Sequence, residues 1–215
     1  MSGELTEATL RLLHQAHPSV LLVLDWDKHR ASGTHTYEAF CDIVEKLVEL
    51  SLTQLAQNPQ TCQTRDENSL TEHVASSLRF LGFETEFDGT VGGHVDLIVR
   101  FGSLYAWLGE AKIYSSYVWL LKGYLQLSTR YSTGLPNEDR GGMLIYFKAP
   151  DVPGKMSTWK AKLESYVGKS RAPIAVTTVA RPVNGLASTQ DHKRTARPYR
   201  VTHFPVALHW EPEDS

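Results

Sequence analysis

The chain has little of most features that would fix its class at once. Its two cysteines, Cys41 and Cys62, lie far apart without metal-ligand spacing. That excludes a disulfide-stapled scaffold and a zinc ribbon, and leaves two free thiols as the expectation. No apolar run approaches bilayer length: Val20 to Leu24 stops at Asp25. Neither sign of charge dominates, since 22 Lys plus Arg against 24 Asp plus Glu leave a formal charge of −2. No global cationic field advertises a polyanion partner, although local patches still count. The first residues, Met-Ser-Gly-Glu-Leu-Thr-Glu, are acidic and lack a signal-peptide pattern. A soluble, cytoplasmic protein with no membrane partner is expected. There is no internal repeat and no low-complexity tract.

What is present suffices for a sizeable core. With 215 residues, 41% of them hydrophobic and 21% charged, the composition is ordinary for a globular protein. Leu5, Ala8, Leu12 and Leu13 have helical spacing over 5–16, and His17-Pro18 is expected to end that helix. A second helix is expected from Tyr37 to Ala56 on the stripe Phe40, Ile43, Val44, Leu47 and Leu50. Residues 58–68 are polar and aperiodic and read as a linker. The resulting division is a helical N-terminal segment, 1–66, and a second domain, 67–215. The helical segment carries no motif and is the expected place for a homodimer contact or a partner protein.

In the second domain, Ser69 can cap a helix while Glu72 completes a capping box. Leu70, Val74, Leu78 and Leu81 give that helix a buried stripe, and Gly82 ends it. Phe83, Thr85 and Phe87 alternate with acids as a half-buried strand, and strands over 94–101 and 104–112 are joined at Gly102-Ser103. There follow a helix over about 116–131, a strand at Met143 to Phe147, a helix at 157–167 and a strand at 174–179. A polar loop over 184–197 and a last strand at 199–210 complete the order. The fold class is therefore α/β: a mixed central sheet of four or five strands flanked by helices.

Three charged residues break the apolar pattern. Asp96 stands among Val95, Leu97, Ile98 and Val99, where an ionised carboxylate is costly unless a partner, a metal or an opening to solvent offsets it. Glu110 follows fourteen residues later, and Lys112 two beyond it. In a strand these two share a face while Ala111 turns into packing. Two acids and a lysine at adjacent strand ends can hold a divalent cation and place a water beside it, the equipment of metal-assisted phosphodiester hydrolysis. The plainer alternatives are a surface ion pair for Glu110 and Lys112, and a turn-capping Asp96 beside Gly92-Gly93.

The order Thr71-Glu72-His73 on a helix, Phe83 to Phe87, Asp96, Glu110-Ala111-Lys112, a helix to Tyr131 and Met143 to Phe147 resembles the PD-(D/E)XK nuclease superfamily. The resemblance covers about residues 69–148, and Val95 stands where many members have Pro. It implies a restriction endonuclease-like core, with Mg²⁺ or Mn²⁺ held by Asp96, Glu110, the Ala111 carbonyl and Glu72. It also implies Lys112-assisted hydrolysis of DNA, leaving a 5′-phosphate and a 3′-hydroxyl, in defence against foreign DNA or in repair. A Gln on the following helix, here Gln126, reaches the site in several branches, with a Tyr four residues on; here Tyr131 follows by five. Capping alone explains Glu72, which lies opposite the centre of its helix's stripe. Lys122 and the run Lys193, Arg194, Arg197 are candidate phosphate contacts, a solvated loop being the alternative for the run. A catalytically silent subunit that binds a partner protein or nucleic acid stays open as the second class of function.

Overall fold

The computed structural model describes residues 6–16, 18–167 and 173–214, so Leu5 and His17 of the first expected helix lie outside the described residues. The elements are α1 (Glu7–Ala16), α2 (Pro18–Ser32), α3 (Tyr37–Ala56), α4 (Pro59–Cys62), α5 (Glu67–Phe80), β1 (Glu84–Thr90), β2 (His94–Phe101) and β3 (Tyr105–Ile113). Then come α6 (Tyr117–Leu125), a π-helical turn (Gln126–Tyr131), β4 (Arg140–Phe147), α7 (Val152–Glu164), β5 (Ala175–Thr178), β6 (Leu186–Asp191) and β7 (Pro198–Ala207). Among the described residues, no helix is long and apolar enough to cross a membrane.

Among the described residues, the strands form one mixed sheet of seven, in the order β1-β2-β3-β4-β7-β6-β5. Only β3–β4 and β4–β7 are parallel, and helices α6 and α7 lie in the crossovers between those strands. The α/β class with a mixed, helix-flanked sheet is thus observed, with seven strands where four or five were expected. Alternation along the central strands sends side chains to two cores. Leu97, Val99, Trp107, Ala111, Leu144 and Phe204 pack with α3 and α5 on one face. Ile98, Leu108, Met143, Ile145, Phe147 and Val201 pack with α6 and α7 on the other.

The α3 stripe is used inside this chain. Phe40, Ile43, Val44 and Leu47 are buried in the same core as the α5 residues Leu70, Val74 and Leu78. Polar contacts tie α3 to the start of the central strands. Arg140 grips Glu45 through Nε (2.9 Å) and Nη2 (3.0 Å), and Glu45 also accepts from Trp107 Nε1 and from Thr202 Oγ1. Tyr37 donates to the Ala106 carbonyl and accepts from the Arg140 amide. The N-terminal helices and the sheet therefore share one core at α3, across the boundary placed at residue 66.

Three expected elements differ, each for a local reason. Pro18 opens α2 rather than merely ending α1, and Pro153 stands in the first turn of α7, which begins at Val152. Proline is at home there because a first-turn amide has no intrahelical acceptor to lose. The polar stretch 184–197 contains β6, whose Ser188 and Thr189 pair with Val201 and Arg200 as the arm of an antiparallel hairpin. One face of β6 is buried at Leu186 and at Ser188, the second a small polar residue that hydropathy does not mark.

His203 on β7 is fully buried: Trp159 Nε1 donates to its Nδ1 (3.2 Å), and its Nε2 lies 2.9 Å from Ser188 Oγ. Burial pushes its pKa down from 6.5 to about 3. The folded protein holds the neutral ring while the unfolded chain takes up a proton below pH 6.5, so this contribution to stability is complete above 6.5 and is lost toward 3. Urea unfolding from pH 6.5 down to 4.5 is expected to show a loss approaching about 1.4 kcal/mol per pH unit from this one group. His203→Gln should lack that component; an identical pH slope in the variant would show that the ring does not control it.

Candidate active site

The site forms where the β2–β3 ladder opens. Pairing runs from Phe101↔Tyr105 to Leu97↔Gly109 and stops. Beyond it, the Ala111 and Ile113 amides on that edge of β3 have no strand partner in β2. Two carboxylates take the place of the missing strand. Asp96 Oδ2 accepts from the Ala111 amide at 2.8 Å, and Glu67 Oε2 from the Ile113 amide at 2.7 Å. A buried amide left without an acceptor would cost about 1–3 kcal/mol, so both acids satisfy the backbone as well as the site.

On the face covered by α6, Glu110 and Lys112 stand side by side as the strand period requires. Glu110 is 2% exposed and Lys112 5%. The Lys112 ammonium lies 2.8 Å from Glu110, 3.2 Å from Glu67 and 3.5 Å from Asp96, and it donates to the Ala111 carbonyl. Burial by itself lowers the pKa of this ammonium, but the charges of Glu110, Asp96 and Glu67 outweigh burial and raise it. Glu110 moves the other way from an ordinary acid: burial, then the Asp96 charge, pushes its pKa from 4.5 to about 7 despite Lys112. Among the described residues, its buried Oε2 has no hydrogen-bond partner.

The helix above is fitted closely to this pair. A Cβ on Gly123 would lie 3.0 Å from Lys112 Cγ and 3.4 Å from Glu110 Cγ, so glycine lets α6 settle onto both side chains. The π-turn at the end of α6 resolves the spacing of Gln126 and Tyr131. A π-turn bonds residues five apart, as the Ser132 amide does to the Leu127 carbonyl, and it brings Gln126 Nε2 within 2.9 Å of the Tyr131 hydroxyl. Tyr131 in turn packs on the glycine turn before Asp96: a Cβ on Gly93, at φ 153°, would lie 2.7 Å from its ring. Burial and the Glu110 charge both raise the Tyr131 pKa. Gln126 thus reaches the site's border through Tyr131, not through Lys112.

Asp96, Glu110, Lys112 and the Ala111 carbonyl are brought together as the sequence suggested. Glu72 is not. Its carboxylate pairs with Arg79 and Ser76 on the solvent side of α5, with 41% of its side chain exposed. The acid that reaches the cluster is Glu67, one turn earlier, because α5 begins earlier than expected. Asp66, not Ser69, is the cap, accepting from the Ser69 amide at 2.7 Å. The signal was present: Glu67 continues the stripe of Leu70, Val74 and Leu78 toward the N-terminus and so lies on the buried face. The basic run also lies elsewhere. Arg194 donates to the Ser132 carbonyl and Arg197 to Asp139, at the β6–β7 turn, while Lys193 is exposed there. Lys112 is level with Ile145 and hence with Pro205, far along β7 from that turn. Lys122 is exposed near the site, with its ammonium 4.8 Å from the Trp119 ring.

The donors that stand together are all oxygens: Asp96, Glu110 and the Ala111 carbonyl, with Glu67 adjoining. Hard oxygen donors suit Mg²⁺ or Mn²⁺ rather than Zn²⁺. Among the described residues, no three His, Cys, Asp or Glu side chains form a metal cage by themselves, so a carbonyl or water would complete the set. Three carboxylates and one ammonium leave the cluster at −2 when all are ionised. The fit lies in that deficit of positive charge and in the partnerless Glu110 Oε2. No family model matches the chain, and no curated protein or solved structure matches it either.

Lys112→Met removes the counter-charge from a buried acid. At pH 8 it is expected to lower stability by about 3–5 kcal/mol, the cost of breaking a buried pair. The deficit should shrink at pH 5.5, where Glu110 takes up a proton, and adding Glu110→Gln should restore more than half of it. Urea titrations of the two variants at both pH values measure this. A deficit that ignores both pH and the second substitution would separate Lys112 from the carboxylates.

Proposed function

We propose that the chain is a divalent-metal-dependent nuclease with a restriction endonuclease-like core, acting on DNA. The observation that carries this reading is the convergence of Asp96, Glu110 and Glu67 on the Lys112 ammonium at the open end of β3. The excess negative charge there is relieved in part by the raised Glu110 pKa. Asp96, Glu110 and the Ala111 carbonyl would hold Mg²⁺ or Mn²⁺, with Glu67 taking the part first given to Glu72. When bound, the ion would acidify a water and offset charge growing on the phosphorus centre.

The remaining work falls to the chain's own residues. Asp96 is held by the Ala111 amide, so its free lone pairs keep a fixed direction. Lys112 carries a firm positive charge on a side chain sheathed by α6, and it would meet a phosphate oxygen entering beside Glu110. Its role is to orient the attacking water and to stabilise the oxyanion that develops, and the low-dielectric surroundings strengthen that attraction. Tyr131, braced by Gln126, closes the side next to the glycine turn.

Purified protein is expected to nick plasmid DNA with Mg²⁺ or Mn²⁺ and to stop in EDTA; equal cleavage in EDTA would sink the reading. A chain that holds DNA equally in EDTA and leaves it intact with either metal would be a binding subunit instead.

Two substitutions test the roles. Lys112→Met should slow turnover about 10²- to 10³-fold, the usual scale for one electrostatic stabiliser, with DNA affinity changed far less. A cleavage time course beside a binding titration separates the two effects. Glu67→Gln should lower cleavage and raise the Mg²⁺ concentration it needs, while Glu72→Gln should cleave like the wild type. The reverse pattern would return the metal role to Glu72.

A further inference from the structure

One large aromatic side chain at the mouth of the site has no core role. Trp119, in the first turn of α6, is 38% exposed, while Trp26, Trp107 and Trp159 are buried. Its ring lies 5.7 Å from the Lys112 ammonium and 4.8 Å from that of Lys122. Lys122 also lines a groove of about 530 Å³ on the outer side of α6, whose floor is Val118, Leu121 and Leu125 with Tyr166 at its side. Among the described residues, the charged ones lining it are Lys122 and Arg130, and no carboxylate lines it. Val118, at the groove's start, is 79% exposed.

We propose that Trp119 is a stacking platform for a base of an unpaired nucleic-acid strand, which runs from the carboxylate cluster along this groove with its phosphates on Lys122 and Arg130. The inference rests on the nuclease reading and narrows its substrate to single-stranded or locally opened nucleic acid. The chemistry of the surface selects that occupant. A polyanion is matched by two cations without an opposing acid, while the apolar floor and the indole match the faces of unstacked bases. A closed duplex presents phosphates to such a groove but keeps its base faces stacked away from it. An apolar peptide would use the floor and leave the paired cations without a role. The link to chemistry is short: the same indole neighbours both the groove lysine and Lys112, so a base seated on it places the adjoining phosphate toward the cluster.

The test uses the full chain carrying Trp210→Phe, which removes the other exposed tryptophan (44%) and leaves Trp119 as the one reporter open to solvent. A short oligothymidylate is titrated in EDTA, so that no cleavage intervenes, against a blunt duplex of the same length. The oligothymidylate is expected to quench Trp119 emission and shield it from acrylamide. Adding Trp119→Ala should weaken single-strand binding roughly 10- to 100-fold, the range for loss of one stacked base, and leave duplex binding within about twofold. Trp119→Phe should retain most of the affinity, which a merely misfolded helix would not. The inference is overturned by unchanged emission at saturation, by single-strand binding that survives Trp119→Ala, or by no binding in the parent. Plasmid cleavage by the wild type with Mn²⁺ stands apart from these outcomes: its loss rejects the nuclease reading, and its persistence beside any of them rejects this inference alone.

Discussion

The open end of the sheet depends on one ammonium group. Lys112 is nearly enclosed, and its Nζ faces three carboxylates drawn from α5, β2 and β3 as well as a carbonyl of its own strand. At an effective dielectric of about 20, one such contact near 3 Å amounts to roughly 5 kcal/mol of Coulomb energy before desolvation is charged against it. The three acids repel one another on the same scale. Remove the ammonium, and Glu110, the most buried of them, has to take up a proton or leave. Retain it, and the cluster still lacks positive charge: burial, and after it the Asp96 charge, keep the Glu110 pKa raised despite Lys112. The site is held together by a group that only partly satisfies it, a deficit that the proposed cation would relieve.

Backbone geometry creates the vacancy that this cluster occupies. A continuous β2–β3 ladder would bury the edge amides of β3 against another strand. Because pairing ends at Leu97↔Gly109, side-chain acids serve as acceptors in its place, and they can do so from different layers. Asp96 belongs to the diverging strand, while Glu67 reaches in from a helix packed on the opposite face. Glu67 sits in the first turn of α5, where the helix dipole favours a negative charge. An acid there is cheaper to hold than one in mid-helix, which helps explain why the site recruits the start of α5 and not Glu72 one turn further along.

The legible part of the molecule was the part governed by period. A period of two in β2 and β3 was enough to put Glu110 and Lys112 on one face and Ala111 on the other, and the structure has them so. The α3 stripe was equally plain, though not where it packs, because no local pattern says which sheet face a helix will cover. Errors came where one residue type serves opposite ends of an element. Pro18 marks the end of one helix by its sequence, yet it opens the next, and the helix expected from residue 157 starts at Val152, with Pro153 in its first turn. Ser69 is a plausible cap, but Asp66 takes that place, and the acid that reaches Lys112 is Glu67 rather than Glu72. Strand β6 escaped notice because its buried positions include Ser188, whose hydroxyl is accommodated by His203 and Tyr124, partners distant in sequence. The five-residue gap from Gln126 to Tyr131 is a departure only for an α-helix; in the π-turn that these residues form, five is the bonded spacing.

Strand β3 connects the two ends of this design. At its start, Trp107 donates to Glu45, itself clamped by Arg140, and the Ala106 carbonyl accepts from Tyr37. At its far end lie Glu110 and Lys112. Between them the strand is buried, flanked on each edge by a neighbouring strand and on each face by a core. A charge cluster so short of compensation would tend to relax by displacing the strand that carries it. Here that motion would break the Glu45 clamp and disturb both cores, so relaxation is confined to protons and to whatever cation arrives. Rigid support at one end thereby allows electrostatic imbalance at the other, and that imbalance is what would give the proposed site an affinity for a metal.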